Sequence, residues 1–173
     1  AAEGEKSIAY LSPIGIGDTP SITIDLQQQT MVTGVHIHTI DQSDTIPQGA
    51  LPGLGLPFHY IIEAASNADF SDAKQLVEIS RTSIYDIGPI LMWSFPETAC
   101  RYIRLTALKP DFYENPYDSG SRIGFAEINI LSYGESVSIG KPIKTSFDYK
   151  DKYRPLEALT DGRNLYGNIL PIK

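Results

Sequence analysis

Apolar and polar residues alternate with a period of two along much of this chain. The alternation is clearest in ITIDL (22–26), VTGVHIHTI (32–40), FHYIIEAA (58–65), ILMWSF (90–95), RYIRLTAL (101–108) and FAEINIL (125–131). Successive side chains of an extended backbone point to opposite faces, so this pattern predicts half-buried strands. Turn-forming Gly, Pro, Asp or Asn separate the runs. No window repeats apolar residues at helical spacing over three turns, and the short helical candidates are NADFSDAKQL (67–76) and RPLEALTDG (154–162). The chain therefore reads as all-β. Strands joined in places by long connections fit two antiparallel sheets packed face to face better than a small closed barrel.

Two connections exceed an ordinary hairpin loop. DQSDTIPQGALPGLGLP (41–57) and KPDFYENPYDSGS (109–121) read as structureless, and loops of this length on a compact scaffold tend to carry function. Pro47, Pro52, Pro57, Pro110 and Pro116 restrict their backbones, which lowers the entropy cost of holding one shape, so both loops are expected to be ordered. The second places Phe112, Tyr113 and Tyr117 among acids, Pro and Gly. Rings in that setting either close the end of a sandwich or offer flat apolar surface beside polar groups.

Composition then removes whole classes of function. A chain of 173 residues supports one domain, or one domain and a fragment. A net charge of −7, with scattered Lys and Arg and no basic stripe, argues against an electrostatic grip on nucleic acid. No run reaches the roughly 18 apolar residues of a membrane helix, so no membrane insertion is expected. The opening AAEGEKS has neither a basic segment nor an apolar h-region, which implies that a secretion signal was removed or never existed. Cys100, the single cysteine, cannot close an internal disulfide and reads as a small buried side chain at the head of an apolar strand.

Four pieces of the chain, in order, carry a family resemblance. ITIDLQQQTMVTGVHIHT resembles a Leu-ending strand that leads through a turn to a second apolar strand, and LPFHYIIEAASNADF resembles the strand that follows. FPETACRYIRLTALKP holds the pattern Arg-Tyr-apolar-Arg-apolar, and FAEINIL resembles a closing strand. Over roughly residues 21 to 132 the chain resembles the discoidin or coagulation-factor type C modules, the galactose-binding-like domains, and among them the bacterial carbohydrate-binding members. The resemblance implies a β-sandwich with jelly-roll topology for residues 1–133. VSIGKPIKTS followed by ALTDGR resembles the opening of such a module. Residues 134–173 thus read as a C-terminal extension that either packs on the first sandwich or, the preferred reading, is the truncated start of a second similar module. Before Ile22 the first copy lacks that opening, which in many relatives holds a structural calcium. No cofactor is expected, the question of calcium staying open, and the lone turn at Asp161 is too common a feature to count as a metal site.

The carbohydrate-binding relatives dock sugars on loops at one end of the sandwich. An aromatic ring stacks on the apolar face of the sugar while a few polar side chains bond its hydroxyls. ENPYDSG resembles their aromatic-bearing loop, which gives Tyr117 the stacking role with Asn115 beside it. In one reading Tyr113 and Arg122 complete that shelf; in the other Tyr113 or Tyr117 caps the end of the sandwich and Arg122 pairs with a nearby acid. Where sugar-binding relatives often carry an Arg after GVHIHT, this chain has Thr39 and Ile40, followed by Asp41 and Asp44 as hydrogen-bonding candidates. That departure speaks against galactose in particular. His36 and His38 project the same way from one strand, but without a third ligand they read as solvated or hydrogen-bonded histidines. Arg104 is expected to satisfy a carboxylate or loop carbonyls at the sheet edge, and Trp93 reads as a core or inter-sheet residue.

No G-x-S-x-G elbow and no H-E-x-x-H helix is present, so no catalysis is expected in this chain. The expectation is a non-catalytic carbohydrate-binding accessory module of a larger glycan-processing bacterial protein, at an extracellular, periplasmic or cell-surface location. Its partners would be a glycan or oligosaccharide and neighbouring domains of the same polypeptide. The alternative is a structural spacer or protein-interaction module without sugar binding.

Overall fold

The computed structural model describes residues 10–40, 55–81, 90–114, 116–147, 156–164 and 167–168. Its strands are β1 (Tyr10–Leu11), β2 (Ser21–His38), β3 (His59–Ala65), β4 (Lys74–Ser80), β5 (Ile90–Lys109), β6 (Asp111–Glu114), β7 (Ser119–Arg122), β8 (Gly124–Phe125), β9 (Glu127–Ser132), β10 (Glu135–Ser136), β11 (Ile143–Thr145), β12 (Arg163–Asn164) and β13 (Gly167–Asn168). A 3-10 turn covers Leu156–Thr160.

Two pairs of the alternating runs are fused. ITIDL and VTGVHIHTI both belong to β2, ILMWSF and RYIRLTAL both belong to β5, and the two strands pair antiparallel from Ser21 opposite Thr106 to His38 opposite Ile90. The register shifts between Asp25 and Thr30 and again between Val32 and Gly34. At the first shift Gln27 takes a left-handed φ of 69°, and its N–H donates to Asp25 Oδ1 at 2.7 Å. Irregularities of this kind bend a strand and increase its twist. Each long strand thereby serves two layers. The first half of β2 lies between β11 and the second half of β5, which continues to β3 and β4. The second half of β2 lies between the first half of β5 and β9, to which β10 is added.

The alternation fills the space between these layers. Ile22, Ile24, Leu26, Ile103 and Leu105 from one layer meet Val35, Ile37, Ile128 and Ile130 from the other, with Tyr10, Ile123 and Phe125 closing the cluster. Each such side chain contributes about 1.5–3 kcal/mol by leaving water. Cys100 is fully buried, and burial pushes its thiol up to about 11, which suits an inert core residue.

Two of three local expectations change. NADFSDAKQL is not a helix: Asp72 accepts the N–H groups of Ser66 and Asn67 at 2.9 and 3.1 Å, and Asp69 accepts that of Ser71 at 2.9 Å. Asp side chains that capture nearby backbone donors compete with helix formation, and the chain turns and enters β4 instead. RPLEALTDG keeps one 3-10 turn. KPDFYENPYDSGS is a hairpin, with β6 and β7 paired from Asp111 opposite Arg122 to Glu114 opposite Ser119.

The described part of residues 134–173 packs on this same sandwich, one of the two placements considered for it. β11 pairs with β2, setting Ile143 opposite Ile24 and Thr145 opposite Ile22. Leu159 is fully buried in the main core, and the Gly140 N–H donates to the Thr160 carbonyl at 2.7 Å.

Candidate functional site

The hairpin β6–β7 follows the last residues of β5 and runs through β8 into the start of β9, so both layers place it at one end of the sandwich. It is tied down from beneath. Asp111 is buried, with Oδ2 accepting the Gly55 N–H at 2.9 Å and Oδ1 accepting the Phe112 N–H at 3.0 Å. Gly55 has φ +96°, and a Cβ there would stand 2.2 Å from the Gly124 nitrogen, so only glycine fits this contact. On the other side Gly15 N–H donates to the Ser121 carbonyl at 2.7 Å, and Ser121 Oγ donates to the Gly17 carbonyl at 2.7 Å.

Cross-strand partners share a face, which puts Tyr113 and Arg122 on one side of the hairpin and Phe112 with Ser121 on the other. The Arg122 guanidinium lies 4.5 Å from the Tyr113 ring centroid, a cation–π pair. Phe112 is largely exposed and borders a hollow of about 560 Å³ shared with Gly15, Lys109 and Ser121. Tyr117, at the tip, is 96% exposed. Of the sequence candidates, Tyr113, Tyr117 and Arg122 are thus carried on one hairpin, and Phe112 joins them as a bordering ring. Asn115, Asp41 and Asp44 lie outside the described residues.

His38 sits beneath this end, opposite Glu127 and with its carbonyl accepting the Ala126 N–H at 2.8 Å. Burial, with a smaller contribution from His36, depresses its pKa to about 4, so the ring is neutral at neutral pH. Among the described residues no three His, Cys, Asp or Glu side chains group as metal ligands. Trp93 lies in register with core Val35 and is half-buried beside Tyr60, whose hydroxyl burial pushes up to about 12.

A second region lies on the outward face of β2 and β5. Asp25 accepts two hydrogen bonds from Arg101, at 2.9 and 3.0 Å, and this guanidinium holds the Asp25 carboxyl below its ordinary value. Arg104 meets Glu63 at 3.0 Å, the carboxylate role expected for it. Its guanidinium also lies 4.0 Å from the Phe70 ring centroid, and Phe70 and Tyr102 stand 6.2 Å apart with their planes tilted by 54°. Asp25, Phe70, Tyr102 and Arg104 line a groove of about 380 Å³ between the 66–72 loop and the 142–146 segment. Sequence reasoning missed it. Alternation does place Tyr102 and Arg104 on one outward face, but Phe70 was lost inside an expected helix.

Comparisons with known proteins complete the picture. No protein-family model and no curated protein matches the chain. Among solved structures, chitosan-binding module 1 of a chitosanase/glucanase from Paenibacillus sp. IK-5 gives a TM-score of 0.50 at 13% identity, over 75% of this chain and 80% of that one. The chain has the galactose-binding-like β-sandwich fold. CBM32-3 from a family 31 glycoside hydrolase of Clostridium perfringens gives 0.49 at 16% identity, over 75% of this chain and 78% of that one. CpGH89CBM32-5 from Clostridium perfringens, solved with GalNAc-β-1,3-galactose, gives 0.44 at 20% identity, and the match spans 65% of each chain, just under two-thirds of that protein. In this galactose-binding-like sandwich the jelly-roll layers are those formed by the bent halves of β2 and β5.

Proposed function

We propose that this chain is a non-catalytic carbohydrate-binding module of a larger glycan-processing protein, docking a sugar on the β6–β7 hairpin. The observation that carries this reading is the exposure of Tyr117 and Phe112 on a hairpin whose base is locked by Asp111 and Gly55. A pyranose presents C–H surface on one face and directional hydroxyls at its rim, which suits an exposed ring backed by a polar pair such as Tyr113 and Arg122. The same proposal gives Asn115, Asp41 and Asp44 hydrogen-bonding roles, on the strength of their sequence positions. The fold itself is one that a chitosan-binding module uses. Attachment of such a module to its neighbours on the polypeptide turns one weak contact into avidity, and a polysaccharide target implies work outside the cytoplasm, in a secreted or surface protein. The sandwich is proposed to include residues up to at least Thr160, with the segment that resembles a module opening supplying its β11 edge.

The test is a glycan-array screen of the chain beside its Tyr117→Ala and Phe112→Ala variants. Saturable binding that both variants weaken, and that persists in EDTA, is expected. Silence across the array with an intact circular dichroism spectrum would turn the assignment to a spacer or protein-interaction module.

A further inference from the structure

We infer that the outward face of β2 and β5 carries a second saccharide site, separate from the hairpin and seated on Phe70 and Tyr102. The sugar class rests on the reading above, while the location does not. The groove of about 380 Å³ falls within the roughly 300–1,000 Å³ typical of small-molecule sites. Its floor is the central ladder, where Thr23 stands opposite Arg104 and Asp25 opposite Tyr102. One wall is the 66–72 loop. The other is the segment 142–146, which includes Lys144, opposite Thr23 on the far side of β2.

Each part is fixed before a ligand arrives. Phe70 has a left-handed φ of 57°, rare for a bulky residue, and is held there by its own N–H to Asn67 O at 3.0 Å and by Ala73 N–H to its carbonyl at 3.1 Å. That turn lays the ring over Arg104, whose guanidinium is in turn held by Glu63. Strain maintained by surrounding bonds at a cavity wall is a mark of a functional position. The charges point to the ligand. The two ionised groups of the floor, Asp25 and Arg104, are matched by Arg101 and Glu63, so the floor presents no single-sign field to a phosphate or sulfate. What it presents is two adjoining aromatic rings, the hydroxyls of Thr23 and Ser21, and carboxylate and guanidinium groups with further hydrogen-bonding capacity. Two ring surfaces beside donors and acceptors, with Lys144 the one lining cation that forms no ion pair among the described residues, suit a neutral pyranose of one or two units better than a strongly charged ligand.

The experiment is an amide chemical-shift titration of the full chain with three neutral disaccharides, lactose, cellobiose and diacetylchitobiose. Saturable shifts at Thr23, Phe70, Tyr102 and Lys144 that persist in Tyr117→Ala, and about tenfold weaker binding in Phe70→Ala, are expected for at least one sugar. Thr23→Val, which removes only a hydroxyl of similar volume, guards against Phe70→Ala acting through misfolding and is expected to weaken the same titration. Shifts confined to residues 108–122 and lost in Tyr117→Ala would overturn the groove and leave the hairpin assignment standing. Shifts at the groove with none at the hairpin would support the groove and overturn the hairpin. No shift with any of the three sugars would overturn the groove.

Discussion

Of the aromatic–arginine pairs among the described residues, one stands at each candidate site, and the two are held differently. On the hairpin, Arg122 lies over Tyr113 at 4.5 Å, and the neighbouring ring of Tyr117 extends from the tip into solvent. On the sheet face, Arg104 lies over Phe70 at 4.0 Å and is pinned a second time by Glu63, with the 142–146 segment facing the Phe70 loop across the groove. The same chemistry is offered once by an exposed tip and once by a preformed groove. Binding at the groove meets walls already in place, whereas the hairpin offers an open tip that can meet differently linked sugars. The two regions are anchored by different parts of the chain, so each can be disturbed alone.

The largest effect is expected from Gly55→Ala, because the new Cβ would stand 2.2 Å from the Gly124 backbone at a φ of +96°. A loss of about 4 kcal/mol in urea unfolding is expected, with amide shifts concentrated around Asp111 and the hairpin. Leu159→Ala tests the C-terminal segment that leads to the groove wall, because the adjoining Thr160 bonds Gly140 and Lys141 just before β11. Emptying this fully buried position is expected to cost about 3 kcal/mol and to loosen the edge that carries β11, seen as faster amide exchange at Ile143 and Thr145. If it disturbs the hairpin equally, the two regions are not independent.

Acid is expected to separate them next. His38 titrates near 4 in the folded chain and near 6.5 when unfolded, so the unfolded state takes up the proton first. Stability is complete above 6.5 and declines as the pH falls towards 4, by about 2 kcal/mol, and His38→Gln flattens that slope. Asp25 acts in the same sense but at lower pH: its lowered carboxyl stabilises the fold above the ordinary 3.8 and loses that contribution only as the pH falls through the folded value. Acid thus weakens the hairpin end before it reaches the groove, an order that residue-resolved hydrogen exchange would report or refute. The smallest effect belongs to Glu63→Ala, which frees Arg104 on a partly exposed surface. About 1 kcal/mol is expected by thermal unfolding, with weaker sugar shifts at Phe70 and none at Phe112.

Much of this architecture was legible because a strand with one buried face must alternate, and each of the six alternating runs lies mainly in strands. Their fusion was not. QQQT (27–30) breaks the period with exposed polar residues, and nothing local distinguishes a bulge that bends one strand from a turn that ends it. β4 was missed because KQLVEIS is partly exposed and puts Leu76 and Val77 side by side, which blurs the period. At the site, the aromatics of the hairpin stood out because rings among Pro, Gly and acids have no place in an alternating core. Phe70 did not, since DFSD reads equally as a helix start or as a turn, and its partner Arg104 is 34 residues further along the chain. The need for glycine at position 55 is set by Gly124, a neighbour in space that no local pattern reveals.

The pairing of β11 with β2 also sets an order of events during synthesis. Ile22 and Ile24 leave the ribosome more than a hundred residues before their outer partners Thr145 and Ile143, and Leu159 follows later still. Contacts this distant along the chain are slow to form and leave an unpaired strand edge exposed while the nascent chain waits. Whatever shields that edge in the interval, a chaperone or a temporary partner strand, becomes part of how this sandwich is made.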